Sequence, residues 1–369
     1  MMKRKAMFAA VLLACALLGA CARQDAQPET PAPEQPVQTP EVQPDFVLEP
    51  DVDPYTGLAK GEDYPEGTRG VAVMINNVRA ALPQSGIASA DLMYETVTES
   101  GITRMMGVWR DYTALPTVGP IRSARDQHVQ LMIPLGCLYA HIGSSTYAAE
   151  MLETYRYDEV WAIDGRFRNF YWIDAERRKT RDQEHCVYTN GETFAAAVEQ
   201  YGLDDSGEPA PVFRFARYDE PPRELTGGDA AEVYIRFSSY AASEFRYDEA
   251  TGRYYKWEFD APQVDDAAGA QYGADNVFPL FASITKYPDG VLSQVNFTLQ
   301  GAGLYFCNGR YELVRWIKGA PNAPLRIVDQ EGTETDLLIN PGRSYIAIVG
   351  DDQIANCRID GVSLADLNA

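Results

Sequence analysis

The chain has 369 residues, of which 46% are apolar and 23% charged, so its composition is globular and excludes disorder along the whole length. Its formal net charge of −21 argues against nucleic-acid partners, because affinity for phosphate backbones depends on Lys and Arg. A chain of this length corresponds to about two domains, each able to bury its own core.

Residues 1–20 have the pattern of a secretory leader. Three basic residues at positions 3–5 precede the apolar run Ala6 to Ala20, which is shorter than the roughly 20 residues of a permanent membrane-spanning helix. The run ends in Leu18-Gly19-Ala20-Cys21, which resembles the lipobox of bacterial lipoproteins. This resemblance implies that Cys21 is acylated and anchors the protein to the membrane. The alternative is an ordinary signal peptide with an incidental cysteine.

Residues 21–53 are expected to form a disordered tether. Prolines recur from Pro28 to Pro54 among acidic residues, and Arg23 is the single basic residue of this segment. Such a composition favours an extended, polyproline-like spacer. The predicted location is the outer face of the cell membrane, with the folded part held there by the lipid anchor.

Alternating apolar runs and helix signals predict an α/β (α+β) domain with a mixed sheet over residues 54–205. The predicted strands are Val71 to Ile75, Leu92 to Val97, Ile102 to Trp109 and Cys137 to Ile142. The predicted helices run from a capping box at Ser123 and Asp126 to Met132, from Thr146 to Tyr155, and from Thr189, with Glu192 as capping residue, to a stop at Gly202.

A linker at 206–222, with a short edge segment in it, leads to residues 223–369, which predict a β-rich, mainly antiparallel domain. Turn signals such as Asp289-Gly290 and Asn308-Gly309 separate the apolar runs and favour hairpins. The predicted strands are Val233 to Phe237, Phe245 to Tyr247, Tyr254 to Trp257, Val277 to Ile284, Val291 to Leu299, Gly303 to Phe306, Tyr311 to Ile317, Leu325 to Val328 and Ser344 to Val349.

Cysteines and histidines give no metal-ligand pattern. Beyond the leader and anchor, disulfides within one domain would join Cys137 to Cys186 and Cys307 to Cys357, and free buried thiols are an equal alternative. The three histidines, His128, His141 and His185, lack ligand spacing with these cysteines. We therefore expect no metal and no cofactor.

The segment Gly119 to Asp126 predicts an anion site. Arg122 and Arg125 fall in the first turn of the predicted helix, where unpaired amides and the helix dipole already favour anions. Guanidinium groups there suit phosphate or carboxylate. The candidate set comprises Arg122, Ser123, Arg125, Arg104, Asn76 and Asn77. The alternative is that the arginines pair with internal acids such as Glu95, Glu99 or Asp91.

A second candidate site is an arginine-rich segment with interleaved aromatics. Its basic residues are Arg166, Arg168, Arg177, Arg178, Lys179 and Arg181, and its aromatics are Phe167, Phe170, Tyr171 and Trp172. Exposed rings beside arginines suit sugar rings and anionic glycans, and Arg166, Arg168 and Trp172 are the residues singled out here. The alternative is a loop that packs its aromatics against its own domain.

A third hypothesis is catalytic. His141 or His185 would act as acid or base, with Asp91, Glu95 or Asp126 in support, in a hydrolase of envelope polymers. The sequence contains no nucleophile motif, metal-ligand spacing or phosphate-binding loop, which favours binding over catalysis.

Several motifs resemble the YerB-like lipoprotein family, which is common in Gram-positive bacteria. They are Asp53-Pro54-Tyr55-Thr56-Gly57-Leu58, Val73-Met74-Ile75-Asn76-Asn77, Pro83-Gln84-Ser85-Gly86-Ile87, Ala90-Asp91-Leu92-Met93-Tyr94-Glu95, Glu99-Ser100-Gly101-Ile102-Thr103-Arg104 and Gly119 to Asp126, with Asp275-Asn276-Val277 and Gly301 to Gly309 in the second domain. One departure is Glu184-His185-Cys186, where the family usually has Pro-His-Asn. The resemblance implies a layered α/β domain followed by a β-rich one, and it implies no activity.

These observations predict a non-catalytic, lipid-anchored, extracytoplasmic protein. Its expected partners are the membrane, through the anchor, and an anionic ligand, a cell-wall glycan or an envelope protein, bound through the N-terminal domain. A hydrolase of envelope polymers is the alternative function.

Overall fold

The computed structural model describes residues 46, 48–157, 159–161, 170–298, 300–330 and 335–367, and of residues 159–161 the backbone alone. These residues belong to one compact unit that begins at Glu41. The predicted leader, most of the predicted tether, and Cys21, Arg166 and Arg168 lie outside the described residues.

The described part of the chain contains twenty-five strands and three α-helices. The strands are β1 (Val71–Asn77), β2 (Leu92–Val97), β3 (Thr103–Trp109), β4 (Leu138–His141), β5 (Glu159–Trp161), β6 (Trp172–Ile173), β7 (Val187–Tyr188), β8 (Arg214–Phe215), β9 (Glu232–Arg236), β10 (Ala242–Asp248), β11 (Arg253–Glu258), β12 (Ala261–Pro262), β13 (Val264–Asp265), β14 (Ala270–Gln271), β15 (Gly273–Ala274), β16 (Asn276–Ala282), β17 (Ile284–Lys286), β18 (Ser293–Val295), β19 (Gln300–Cys307), β20 (Arg310–Ile317), β21 (Arg326–Val328), β22 (Leu338–Ile339), β23 (Ser344–Gly350), β24 (Arg358–Ile359) and β25 (Val362–Ser363). The helices are α1 (Asp126–Met132), α2 (Thr146–Thr154) and α3 (Gly191–Tyr201).

Ten strands form the central sheet, in the order β21-β20-β19-β16-β23-β2-β3-β1-β4-β5. The pairs β16/β23, β23/β2, β1/β4 and β4/β5 are parallel, and the other neighbours are antiparallel. Strands β1, β2 and β23 are buried along their whole length, as expected for a sheet covered on both faces. The predicted mixed sheet with helices and the β-rich second half are confirmed.

The central sheet runs without a break from the first half of the chain into the second. Strand β2 pairs in parallel with β23. Both large apolar clusters take side chains from both halves, since Val73 and Val349 share one cluster and Met74 and Ile348 share the other. The sequence predicted a separate core for each domain. The cores are shared because the pairing of β2 with β23 satisfies backbone groups that would otherwise lie at two sheet edges.

A second sheet covers one face of the central sheet. Its strands lie in the order β12-β11-β10-β9-β24-β25, and β15 also pairs with β11. Along β10, Ser243 and Phe245 are buried whereas Glu244 and Arg246 are not, so this sheet has an inward and an outward face. Helix α3 packs into the same apolar cluster as the inward face, and α1 and α2 pack on the opposite face of the central sheet.

Helix α1 begins at Asp126 rather than after the predicted cap at Ser123. Arg125 occupies the N-cap position, and its side chain forms no cap bond. The chain before it is extended, and the backbone N–H of Arg122 donates to the carbonyl oxygen of Met74 on β1 (3.0 Å). The prediction that both arginines lie in the first turn of a helix is therefore wrong, because bonds to the sheet keep this segment extended.

Helices α2 and α3 form where the sequence predicted them. Helix α3 ends at Gly202, which adopts the left-handed conformation of a C-cap. Its N-terminus differs from the prediction, because the cap pair is Asn190 and Thr193 rather than Thr189 and Glu192. The Asn190 side chain accepts from the Thr193 N–H (2.9 Å), and the Thr193 hydroxyl accepts from the Asn190 N–H (3.2 Å).

This cap gives the first testable prediction. We expect Asn190→Ala to lower the free energy of unfolding by about 1 kcal/mol, since the Thr193 N–H loses its acceptor. We expect the control Glu192→Ala to cost less than about 0.5 kcal/mol, because its carboxylate acts only through the helix dipole. Urea denaturation of both variants measures the difference, and equal losses would contradict the assignment.

Candidate functional site

Two arginines of the predicted anion set are internal. Arg125 Nε and Nη2 lie 3.0 and 2.8 Å from the two carboxylate oxygens of Glu99, and Arg104 Nη2 binds the same carboxylate. Arg104 also donates to the carbonyl oxygen of Ser123 (2.9 Å). Burial of Arg104, together with the nearby charge of Arg125, lowers its pKa to about 9. Both guanidinium groups therefore neutralise an internal acid, as in the alternative interpretation of this segment.

The remaining members of that set lie at the end of β1. Arg122 forms two bonds of 3.2 Å with the carboxylate of Glu184. Asn76 Nδ2 donates to His185 Nδ1 (2.9 Å), which leaves the proton of a neutral His185 on Nε2, 3.6 Å from Glu184. Burial lowers the pKa of His185. Because Arg122 is already paired, the predicted anion site at this segment is neutralised.

Asn77 and Glu95 belong to a buried polar cluster between the two sheets. The interior charge cluster, as we term it, comprises Asn77, Glu95, Thr103, Ser243, Lys256, Glu258 and Tyr345. Lys256 Nζ lies 3.1 Å from a carboxylate oxygen of Glu95 and 2.8 Å from one of Glu258. Asn77 Nδ2 donates to both carboxylates, at 2.9 and 2.8 Å. One ammonium group thus bridges carboxylates from different sheets.

Three hydroxyl groups complete the surroundings of Glu95. Thr103 donates to it at 2.7 Å and Ser243 at 3.4 Å, and the Tyr345 hydroxyl donates to the same carboxylate. Burial opposes the charge of Lys256, but the two carboxylates outweigh burial and raise its pKa. Burial also raises the pKa of Glu258, to about 7. Glu95 is enclosed on all sides and is not accessible to a substrate.

The candidate catalytic residues do not converge within the described structure. Asn76 and Asn77 are consecutive on β1 and point to opposite faces, so their partners His185 and Glu95 lie on opposite faces of the central sheet. Asp91, Asp126 and His141 bond elsewhere, to the N–H of Arg110, the hydroxyl of Tyr287 and the carbonyl oxygen of Gly143. Burial raises the pKa of Asp91 to about 7.

The arginine-rich segment is hydrogen-bonded to the turn after β1. Arg177 and Arg181 donate to backbone carbonyl oxygens within residues 80–83, at distances from 2.5 to 2.9 Å. Phe170 is fully buried, and Trp172 is half-buried. These two aromatics therefore pack against their own domain, whereas Arg178, Lys179 and Arg181 line an open cavity.

This cavity has a volume of about 540 Å³, and we term it the basic cavity. It is lined by Arg79, Ala80, Arg178, Lys179, Thr180, Arg181, Asp182 and His185. Lys179 pairs with Glu176. Within the described ranges of the chain, no carboxylate lies at ion-pair distance from Arg79, Arg178 or Arg181. The cavity therefore carries an excess of positive charge.

Arg79 also lines a second cavity, of about 460 Å³, which we term the aromatic cavity. Its other lining residues belong to β9, β10 and β11 and to the turns beside them: Tyr234, Arg236, Tyr240, Ala242, Glu244, Arg246, Trp257, Glu258, Phe259 and Asp260. Of these, Glu258 is buried and its carboxylate belongs to the interior charge cluster, whereas Glu244 and Trp257 stand on the outward face. The guanidinium of Arg79 lies 4.7 Å from the ring centre of Phe259. The two cavities therefore adjoin at Arg79.

Sequence reasoning missed Arg79 and the whole aromatic cavity. A signal was present, because Tyr234, Glu244 and Trp257 stand at positions that alternate with buried residues along their strands. Such a pattern predicts an outward face. That this face lies beside Arg79 depends on the packing of the second sheet, which local patterns do not contain.

Thiols and metal-ligand groups do not build a site in the described part of the chain. Cys137, Cys186, Cys307 and Cys357 are all free and buried. No group of three potential metal ligands occurs among the described residues. No described helix is long and apolar enough to cross a membrane.

Comparisons with known proteins identify both halves of the chain. Residues 55–204 match the N-terminal domain, and residues 233–346 the C-terminal domain, of the protein family of unknown function DUF3048. The chain belongs to this family. It is 28% identical over 304 residues to "Putative lipoprotein YerB" of Bacillus subtilis (strain 168), with 81% of this chain and 86% of that protein covered. The crystal structure of the YerB protein from Bacillus subtilis is similar, with a TM-score of 0.70 and 26% identity over 81% of this chain and 96% of that chain.

Each cavity lies wholly or mainly in one of the two DUF3048 domains. All residues of the basic cavity lie in the N-terminal DUF3048 match, whereas those of the aromatic cavity lie in the C-terminal match apart from Arg79. The predicted resemblance to the YerB-like family is confirmed. Family membership assigns no activity to either cavity.

The interior charge cluster gives a prediction for pH. Because the pKa of Glu258 is raised in the folded state, its contribution to stability is full below its unfolded pKa and is lost as the pH rises through about 7. We expect the unfolding free energy of the wild type to decrease between about pH 5 and 8. In Glu258→Gln this decrease should be smaller by on the order of 2 kcal/mol. Urea denaturation across this pH range measures it.

Glu244→Gln is the matched control, since Glu244 points outward from the neighbouring strand and pairs with Arg246. This variant should keep the pH slope of the wild type. A Glu258→Gln protein that folds and also keeps the wild-type slope would show that Glu258 titrates normally.

Proposed function

We propose that this DUF3048 protein is a lipid-anchored, extracytoplasmic protein that binds an anionic ligand in the basic cavity without catalysing a reaction. The observation that carries the proposal is that Arg79, Arg178 and Arg181 line one open cavity and, among the described residues, have no carboxylate partner. The arginines of the first predicted anion site, Arg104, Arg122 and Arg125, are all paired.

Electrostatics support an anion in this cavity. Arg79, Arg178, Lys179 and Arg181 stand against a single lining carboxylate, Asp182. Like charges held together in a partly enclosed space raise the local potential, and a bound anion lowers it. The planar guanidinium fork donates two parallel N–H bonds to one phosphate or carboxylate, so it also gives directional recognition.

The anchor rests on the leader and on the relative. The sequence Leu18-Gly19-Ala20-Cys21 resembles a lipobox, and the Bacillus relative is named "Putative lipoprotein YerB". Acyl chains on Cys21 would hold the protein at the membrane surface without a spanning helix. The acidic, proline-rich segment that follows would keep the binding cavities away from the lipid headgroups.

The carboxylates near the cavities favour binding over hydrolysis. A glycosidase needs two available carboxyl groups flanking the scissile bond. Three acidic residues line the aromatic cavity. The carboxylate of Glu258 is buried in the interior charge cluster and that of Glu244 pairs with Arg246, which leaves Asp260. One free carboxylate does not supply both an acid and a base.

The binding site is tested with the full chain purified in detergent and inorganic tripolyphosphate as the probe. We expect Arg79→Ala and Arg178→Ala each to weaken binding about five- to tenfold, because each removes a charged hydrogen-bond donor. Isothermal titration calorimetry measures the affinity. Arg214→Ala, which removes an exposed arginine that lines neither cavity, is the control and should bind as the wild type does. Wild-type affinity in a folded Arg79→Ala/Arg178→Ala double variant would refute the site.

The anchor is tested by fatty-acid labelling in a bacterial host. We expect Cys21→Ala to abolish incorporation of labelled palmitate, because the thiol that carries the acyl chains is gone. Cys15→Ala changes a cysteine inside the apolar run and should keep the label. Equal labelling of the two variants would favour an ordinary signal peptide over a lipobox.

A further inference from the structure

The aromatic cavity differs in chemistry from the basic cavity beside it. Four aromatic side chains, Tyr234, Tyr240, Trp257 and Phe259, line its walls. Tyr240 is 44% exposed. Aromatic faces that remain open to solvent in a concave site are suited to stacking against an apolar surface of a ligand.

Strand pairing places two of these rings on either side of a carboxylate. Glu244 on β10 stands directly opposite Tyr234 on β9 and Trp257 on β11. Directly paired residues have Cβ atoms about 5 Å apart, so the three side chains form one row across the outward face. Arg246 adds a guanidinium 4.4 Å from the Trp257 ring centre and pairs with Glu244.

Such a row matches the two kinds of surface on a sugar ring. The C–H groups of a pyranose form apolar faces that stack on aromatic rings, whereas its hydroxyl groups lie at the rim and bond to carboxylate and guanidinium groups. An inorganic anion has no apolar face and gains nothing from the rings. The two cavities therefore favour different parts of a ligand.

We propose that one acidic glycan occupies both cavities, with its acidic group in the basic cavity and an adjacent sugar ring in the aromatic cavity. This inference rests on the proposed function, since it names the ligand class of the same site. Each cavity lies within the roughly 300–1,000 Å³ that small-molecule sites occupy. A single ligand spans both because they meet at one residue, Arg79.

Arg79 is suited to this junction. Its guanidinium lies over Phe259, and its backbone N–H donates to the Tyr240 hydroxyl at 3.5 Å. The cation–π contact orders an exposed side chain without neutralising it. The donors of Arg79 stay available to an acidic group on one side and to ring hydroxyls on the other. The acidic group can be a phosphate or a carboxylate, because the fork binds both.

The experiment compares four probes on the full chain in detergent: tripolyphosphate, a galacturonic acid oligomer, a phosphorylated mannan oligomer and a neutral maltose oligomer. The variants are Tyr240→Ala and Trp257→Ala, and Tyr218→Ala serves as control because Tyr218 lines neither cavity. We expect each aromatic variant to bind the preferred acidic glycan about tenfold more weakly and to bind tripolyphosphate as the wild type does. The neutral oligomer should bind the wild type more weakly than either acidic glycan.

The outcomes separate this inference from the proposed function. One outcome is that tripolyphosphate binding depends on Arg178, whereas the binding of both acidic glycans is unchanged in Tyr240→Ala and Trp257→Ala. The basic cavity is then supported as an anion site, and the acidic glycan is rejected. If Trp257→Ala alone loses tripolyphosphate to the same degree, its effect is structural, and Tyr240→Ala then decides. If both variants lose tripolyphosphate and the acidic glycan to the same degree, the acidic glycan is rejected. If no anionic probe binds the wild type, the proposed function itself fails. The acidic glycan that binds with the higher affinity shows whether the acidic group is a carboxylate or a phosphate.

Discussion

The ammonium group of Lys256 aligns the two sheets. It is fully buried and bridges Glu95 on β2 to Glu258 on β11. Removing such an ion from water costs several kcal/mol, and only directed bonds from both carboxylates offset that cost. A slip of β11 by one residue would turn Lys256 to the outward face and leave Glu95 without a cation. The interior charge cluster therefore selects one alignment of the second sheet on the central sheet.

The same alignment creates the aromatic cavity. Asn77 is held by both carboxylates of the cluster, so β1 ends at a fixed point, and Arg79 follows two residues later. On β11, Trp257 stands between the inward-facing Lys256 and Glu258 and therefore faces outward. Arg79 of the N-terminal domain and Trp257 of the C-terminal domain thus line the same cavity. The interior charge cluster positions both residues, although neither side chain belongs to it. The aromatic cavity needs both domains.

Local sequence patterns predicted the bounds of strands and helices better than they predicted which strands and side chains pair. Strand β2 has the predicted bounds Leu92–Val97, and α3 ends at the predicted Gly202, because apolar runs and a left-handed glycine are encoded within a few residues. The parallel pairing of β2 with β23 joins residues far apart in the chain, and apolar runs of this kind fit two separate sheets equally well. The same holds for the site, since the sequence offers Glu95, Glu99 and Asp91 as possible partners of the arginines but does not select Glu99, which neutralises Arg125.

The net charge of −21 and an anionic ligand are compatible because charge acts over a limited distance. At physiological ionic strength the screening length is about 8 Å, so the potential inside a cavity is set by its own lining and near neighbours. The charged groups that determine the potential in the basic cavity are mainly Arg79, Arg178 and Arg181. The acidic surface farther away affects only the approach of a ligand from a distance. A long polyanion would extend across that acidic surface and be repelled along most of its length. A short acidic segment with a sugar ring beside it would meet the local positive charge and the aromatic wall, and nothing else.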